Sequence, residues 1–233
     1  MAERGGARSA RTAHTATAKR PPRAEPPPEI PGRVARPLFE RSVASLDRLP
    51  HADRPEVAIA GRSNVGKSSL LNTLALDRRL AKTSGTPGKT QMLNLYYFGA
   101  LRVIDLPGYG FAKAPDAAKA AWSLLVDRYL ATRAALAAIV LVVDARHPAS
   151  PDDRRMLDWV LARRLPFLVA ATKADKLGRG ALAARLAGLA AELGLARAGE
   201  PGSRGGRGAL LAFSSVDRTG RRELLTFLKG FEP

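Results

Sequence analysis

Eight consecutive residues, Gly61-Arg62-Ser63-Asn64-Val65-Gly66-Lys67-Ser68, satisfy the spacing G-x-x-x-x-G-K-[ST]. The glycines let the backbone curl until successive N–H groups point at phosphate oxygens, and a helix that follows adds its positive N-terminal end. In such a loop Lys67 would bridge the β- and γ-phosphates and the Ser68 hydroxyl would sit on Mg²⁺, with Ser69 beside it in the same candidate set. The plain alternative is a glycine-rich turn before an ordinary helix.

Three further strings have nucleotide chemistry in them. Asp105-Leu106-Pro107-Gly108 offers a carboxylate that can hold a water on Mg²⁺ and a glycine N–H for a γ-phosphate, although a strand-ending turn explains such a string equally well. In Thr172-Lys173-Ala174-Asp175, Asp175 can accept both N1–H and N2–H of guanine, a donor pair adenine lacks, while the Lys173 stem covers the base. Ser214-Ser215 offers backbone N–H groups to guanine O6, or is a polar turn and nothing more. Each string is weak alone. All four fall at strand ends, in an order that places them on one rim of a parallel sheet, where α/β proteins bind ligands. Together they specify a guanine nucleotide site.

Ala81 to Gln91 is rich in glycine, proline and hydroxyl residues, as a loop ordered only by a γ-phosphate and Mg²⁺ should be. Thr90 is the candidate second hydroxyl ligand of Mg²⁺, Thr86 is its rival, and a solvated connector is the bland reading.

These strings need elements to position them. Val57–Ala60, Met92–Phe98, Leu101–Leu106, Ala138–Asp144, Phe167–Ala171 and Ala209–Ser214 read as strands. Lys67–Leu76, Asp116–Thr132, Asp152–Arg164, Gly180–Leu193 and Arg221–Lys229 read as helices. Alternation of the two predicts an α/β fold: a mainly parallel six-stranded sheet with one antiparallel edge strand and helices on both faces. The antiparallel element is the hairpin turning at Gly99-Ala100.

Lys and Arg exceed Asp and Glu by 38 to 21, giving a net charge of +17. That excess points to a polyanionic partner. Residues 1–37 hold almost nothing large and apolar and read as a disordered basic tail. Through residue 40 the chain carries eight basic and four acidic residues, a net of +4, which leaves +13 to residues 41–233; the folded domain is expected to span 38–233 with no second domain. Within it, Ala196 to Gly208 reads as a flexible Gly/Arg-rich loop. There are no cysteines, so disulfides, thiolate zinc sites and a cysteine nucleophile are excluded. His14, His51 and His147 are too scattered for a metal cluster. The longest apolar run, Ala134 to Val143, is ten residues. A spanning helix needs about 20, so membrane insertion is not expected.

With these residues in hand, the chain closely resembles the EngB family of bacterial GTPases, of the TRAFAC class. The resemblance is carried by Gly61 to Asn72, by Pro87-Gly88-Lys89-Thr90-Gln91 with Asn94, by Asp105-Leu106-Pro107-Gly108-Tyr109-Gly110, by Thr172 to Lys176 and by Ser214-Ser215. It covers about residues 38–230 and implies a Ras-like P-loop GTPase fold and Mg²⁺-dependent GTP binding and hydrolysis. It also implies a cytoplasmic role in large ribosomal subunit assembly and a need for normal septation. Beside Gly108, where the best-known small GTPases carry a water-orienting glutamine, stands Tyr109. Turnover is therefore expected to be slow until a partner or a cation supplies the missing group. Related potassium-activated GTPases hold K⁺ with an asparagine at the place of Asn64, which otherwise caps or braces the loop. Lys67, Asn64, Thr90 and Gly108 are thus the candidate catalytic set. A basic RNA-binding module holding guanine nucleotide only as a structural ligand is the rival class, and a metabolic kinase is opposed by Asp175. Monomer is the expected state, with ribosomal RNA as the large polyanion.

Overall fold

The computed structural model describes residues 37–81, 92–110, 116–195 and 208–233. Seven strands among them form a single sheet: β1 (Leu38–Val43), β2 (Glu56–Gly61), β3 (Leu93–Phe98), β4 (Leu101–Asp105), β5 (Leu136–Asp144), β6 (Phe167–Thr172) and β7 (Gly208–Ala212). Their spatial order is β1-β3-β4-β2-β5-β6-β7. β4, β2, β5, β6 and β7 pair in parallel, while β3 runs antiparallel to both of its neighbours.

Five helices complete the alternation: α1 (Lys67–Ala75), α2 (Asp116–Thr132), α3 (Pro151–Ala162), α4 (Arg179–Glu192) and α5 (Arg221–Lys229). β2 and β5 are apolar on both sides because both faces of the sheet are covered. Val57, Ile59, Val140 and Val142 pack with Leu70, Leu71 and Leu74 of α1 and Leu224 and Leu228 of α5. Their neighbours in sequence, Ala58, Ala60, Ile139, Leu141 and Val143, point the other way. They meet Tyr129 and Leu130 of α2, Leu157 and Val160 of α3, and Leu189 of α4. Burying each leucine stabilises the fold by about 1.5–3 kcal/mol. The strand rims on which the loops sit are therefore held from both sides.

The mainly parallel sheet with two helical layers is as the alternation predicts, but it has seven strands rather than six, and the hairpin strand β3 is not the edge. β1 covers it, paired from Leu38↔Tyr97 to Val43↔Leu93 with an irregularity between Phe39 and Arg41. Its sequence conceals it because Glu40, which reads as a solvent-facing position, is buried: its carboxylate takes a 2.8 Å hydrogen bond from Arg102 Nε. Arg102 also reaches Glu56 at 3.1 Å, and Glu56 in turn accepts from Tyr129 and Arg133. This buried cluster ties β1, β2, β4 and α2 together at the end of the sheet remote from the candidate loops.

The expected tail up to residue 36 and the Gly/Arg-rich loop up to residue 207 lie outside the described residues. Among the described residues no helix is long and apolar enough to cross a membrane.

Candidate functional site

The phosphate-loop string runs from the end of β2 into α1. Gly61 must be glycine on steric grounds: a Cβ there would lie 2.5 Å from the Val142 carbonyl oxygen. Gly66 has φ 108°, a backbone conformation that side chains rarely adopt, and it caps the N-terminus of α1. Asn64 takes φ 62° without being glycine, a conformation asparagine tolerates better than most residues. The loop is stapled from beneath by β6, where the Thr172 hydroxyl lies 2.5 Å from Val65 O and 2.9 Å from Val143 O. Thr172 is thus a brace for the loop's shape.

Lys67 opens α1, and its Nζ folds back along the loop to the carbonyls of Gly61 at 3.2 Å and Arg62 at 3.5 Å. Burial lowers its pKa, and the nearby Asp105 carboxylate opposes the shift. Asp105 ends β4. Burial pushes its carboxyl up to about 6, against the pull of the Lys67 ammonium and a hydrogen bond from Asn94. Its Oδ1 is buried without a hydrogen-bond partner among the described residues. A buried carboxylate oxygen lacking a donor, coupled to the Lys67 ammonium, together with the half-buried hydroxyl residue Ser68 in the first turn of α1, fits the donor set of a hydrated Mg²⁺. Bound there, the ion would neutralise phosphate charge. Thr90 and its rival Thr86 lie outside the described residues.

Gly108 is pressed against this group. A Cβ on it would meet Lys67 Nζ at 2.8 Å and the Ser63 backbone nitrogen at 2.9 Å, so only glycine allows the D-x-x-G turn so close to the phosphate loop. The contact is made by backbone pairing that extends the β2–β4 ladder. Leu106 N donates to Ile59 O at 3.0 Å, Tyr109 N to Gly61 O at 3.3 Å, and Ser63 N to Tyr109 O at 2.9 Å.

At the other end of the rim, Lys173 has φ 60°, and its Nζ bonds both Asn64 O and the Asp144 carboxylate at 2.8 Å. Asp144 closes β5 and also binds Arg146. The fold therefore joins the T-K-A-D turn directly to the phosphate loop. Asp175 follows on a short 3-10 turn, Ala174–Lys176, with its Oδ1 held at 2.9 Å by the Ser214 hydroxyl. The expectation for Ser214 needs correction. Its N–H is committed to Thr219 O at 3.1 Å, so it has no N–H to give guanine O6, and its side chain instead orients Asp175 and accepts from Val216 and Asp217. Ser215 is exposed at the same turn.

Two participants escaped the sequence reading. Asp144 reads in sequence only as the end of a strand, although a carboxylate at the C-terminal end of a central parallel strand is a signal in itself. Tyr109 reads in sequence only as a residue without the amide a glutamine would supply. It is buried, and its hydroxyl donates to Asp153 on α3 at 2.7 Å.

A strand running into a phosphate loop on the rim of a parallel sheet, facing D-x-x-G and tied to T-K-A-D, defines a P-loop GTPase of Ras-like fold. The family model described as "50S ribosome-binding GTPase" matches residues 56–173, which contain the phosphate-loop string, D-x-x-G and the first two residues of T-K-A-D, and end before Ala174, Asp175 and Ser214-Ser215. The probable GTP-binding protein EngB of Symbiobacterium thermophilum is 38% identical over 225 residues, 82% of this chain and 93% of that protein. The corresponding protein of Azoarcus sp. is 44% identical over 195 residues, 83% of this chain and 90% of its own length. The chain belongs to the EngB family of GTP-binding proteins. Its fold is also similar to the crystal structure of a probable EngB protein, with a TM-score of 0.60 at 20% identity over 76% of this chain and 97% of that one.

Proposed function

We propose that this protein binds GTP–Mg²⁺ on the rim described above, hydrolyses it to GDP and phosphate, and uses the cycle as a switch in assembly of the large ribosomal subunit. The observation that carries the reading is the convergence of Lys67, Asp105 and Gly108 on one side of the phosphate loop, with Lys173 joining that loop to the turn of Asp175. In this reading the N–H groups of residues 61–69 surround the phosphates and Lys67 offsets their charge. Ser68, Asp105 through water, and Thr90 hold Mg²⁺, and Asp175 reads guanine with Ser215 beside it. Turnover is slow in the free protein, because Tyr109 supplies no amide to the attacking water. The Asn64 side chain is exposed and has no hydrogen-bond partner among the described residues, which favours K⁺ coordination over bracing as its role.

The ribosomal reading is supported by the description of the matching family model and by the net charge of +17, far more than one nucleotide uses. The protein acts as a cytoplasmic monomer, gripping ribosomal RNA mainly through phosphates, and is needed for normal cell division and septation. The domain occupies 38–233, and the basic tail adds loose attraction. Co-sedimentation with ribosomal subunits, with a GTP analogue or with GDP, tests the switch. Binding to the large subunit should differ between the two states and should weaken with salt, with a log–log slope of about −0.7 per single-strand phosphate neutralised. Equal binding in both states would leave a basic RNA-binding protein that holds nucleotide only as a structural ligand.

A further inference from the structure

Tyr109 stands where a water-orienting side chain is usual, yet the fold turns it inward. Its ring belongs to the core shared by α2, α3 and α4, only 4% exposed. Its hydroxyl meets Asp153 Oδ1, and the other carboxylate oxygen of Asp153 accepts from Ser150 N at 2.9 Å and Ser150 Oγ at 2.7 Å. Ser150 and Asp153 form the capping box of α3, with Pro151 fixing the first turn. Both oxygens of a buried carboxylate are therefore committed, which makes the start of α3 a rigid anchor. On its backbone side Tyr109 is paired with the phosphate loop through Gly61 O and Ser63 N, and the residue before it is Gly108, packed against Lys67.

We infer that Tyr109 is a positioning residue for GTP hydrolysis, acting through its hydroxyl: the Tyr109–Asp153 bond fixes where the Gly108 N–H stands relative to Lys67, and so sets the γ-phosphate contact from α3. The argument rests on the GTPase reading above. A side chain merely filling the core would need only the ring. The phenol–carboxylate bond adds direction, because it holds the residue next to Gly108 along one line while two backbone bonds hold it along another. Loss of the hydroxyl should leave packing nearly intact and loosen the turn by the worth of one hydrogen bond to a carboxylate, which corresponds to about tenfold in an equilibrium or rate.

The test compares Tyr109→Phe, Asp153→Ala, Asp153→Asn and the double variant Tyr109→Phe/Asp153→Ala in the full chain. Tyr109→Phe should lower kcat for GTP about tenfold and reduce the preference for a non-hydrolysable GTP analogue over GDP by a similar factor, with GDP affinity nearly unchanged and Tm lowered by only a few degrees, roughly the cost of one buried acceptor left unpaired. Asp153→Asn keeps one acceptor oxygen for two sets of donors, so its kcat should fall between those of wild type and Asp153→Ala. The double variant should be no slower than Asp153→Ala, as two ends of one bond require. A wild-type kcat and wild-type analogue preference in Tyr109→Phe would overturn the inference. So would equal losses of GDP affinity and kcat, the pattern of a structural role, or additive losses in the double variant. The analogue-to-GDP ratio reads the γ-phosphate contact without turnover. A wild-type chain that binds GTP and fails to hydrolyse it would sink the proposed function and still decide this inference.

Discussion

Lys173 and Asp144, 29 residues apart, form a 2.8 Å ion pair beneath the phosphate loop, from which the same ammonium reaches Asn64 O. The carboxylate of one strand end thus aims the lysine of the next at the loop of a third. Burial works to raise the Asp144 pKa, but hydrogen bonds from Arg146 and Lys173 outweigh it and hold the carboxyl well below the usual range. The pair is partly exposed, so its worth is about 1 kcal/mol or less. Asp144→Asn should weaken GDP binding roughly fivefold or less by titration calorimetry. A carboxyl whose folded pKa lies below its unfolded value stabilises above the unfolded pKa and loses that contribution as pH falls toward the folded one. The urea midpoints of wild type and Asp144→Asn should therefore differ at neutral pH and converge below about pH 4.

Lys67→Ala should abolish tight GTP binding or turnover, because it is the Lys67 ammonium that lies against Gly108. Nucleotide titration checks the loss, and circular dichroism should show the helices intact. Full affinity in this variant would remove the phosphate loop from the site.

Asp175→Asn should weaken GTP binding and favour xanthine nucleotides, since the C2 carbonyl of xanthine suits an amide donor. Ser214 orients Asp175 through a 2.9 Å bond, so Ser214→Ala should move GTP affinity the same way by a smaller amount, roughly three- to tenfold. Competition between labelled GTP, xanthosine triphosphate and ATP reads both variants.

At the far end of the sheet, Arg102 is 1% exposed between Glu40 and Glu56. Arg102→Met leaves two buried carboxylates without their shared cation and should cost about 3–5 kcal/mol in urea unfolding. Replacing a cation remote from the rim leaves the nucleotide contacts in place, so GDP affinity of the folded variant should be unchanged.

GTPase rates measured in K⁺ and in Na⁺ at equal ionic strength should differ, with K⁺ the faster, and Asn64→Ala should erase the difference. Identical rates in wild type would leave Asn64 with a backbone role alone, that of presenting its carbonyl to Lys173.

The residues with chemistry in them were legible because each is local. A loop that curls around phosphate needs its glycines, lysine and serine within eight positions, and the buried two-sided strands β2 and β5 announce a parallel sheet by composition alone. The five helices fall within a few residues of their periodicity, since an amphipathic stripe and its caps are written along the chain. What the sequence left open depends on distant partners. β1 is a strand because Glu40 finds Arg102 across the sheet, and a charge that is buried only when paired looks like surface until its partner is placed. Ser214 serves Asp175 rather than guanine because Thr219 takes its N–H. Tyr109 turns into the core because Asp153, 44 positions later, offers an acceptor there. The sequence by itself determined which groups are present and which elements carry them. The tertiary structure decided which donors and acceptors are already satisfied, because hydrogen bonds between residues far apart in sequence exist only once the chain is packed.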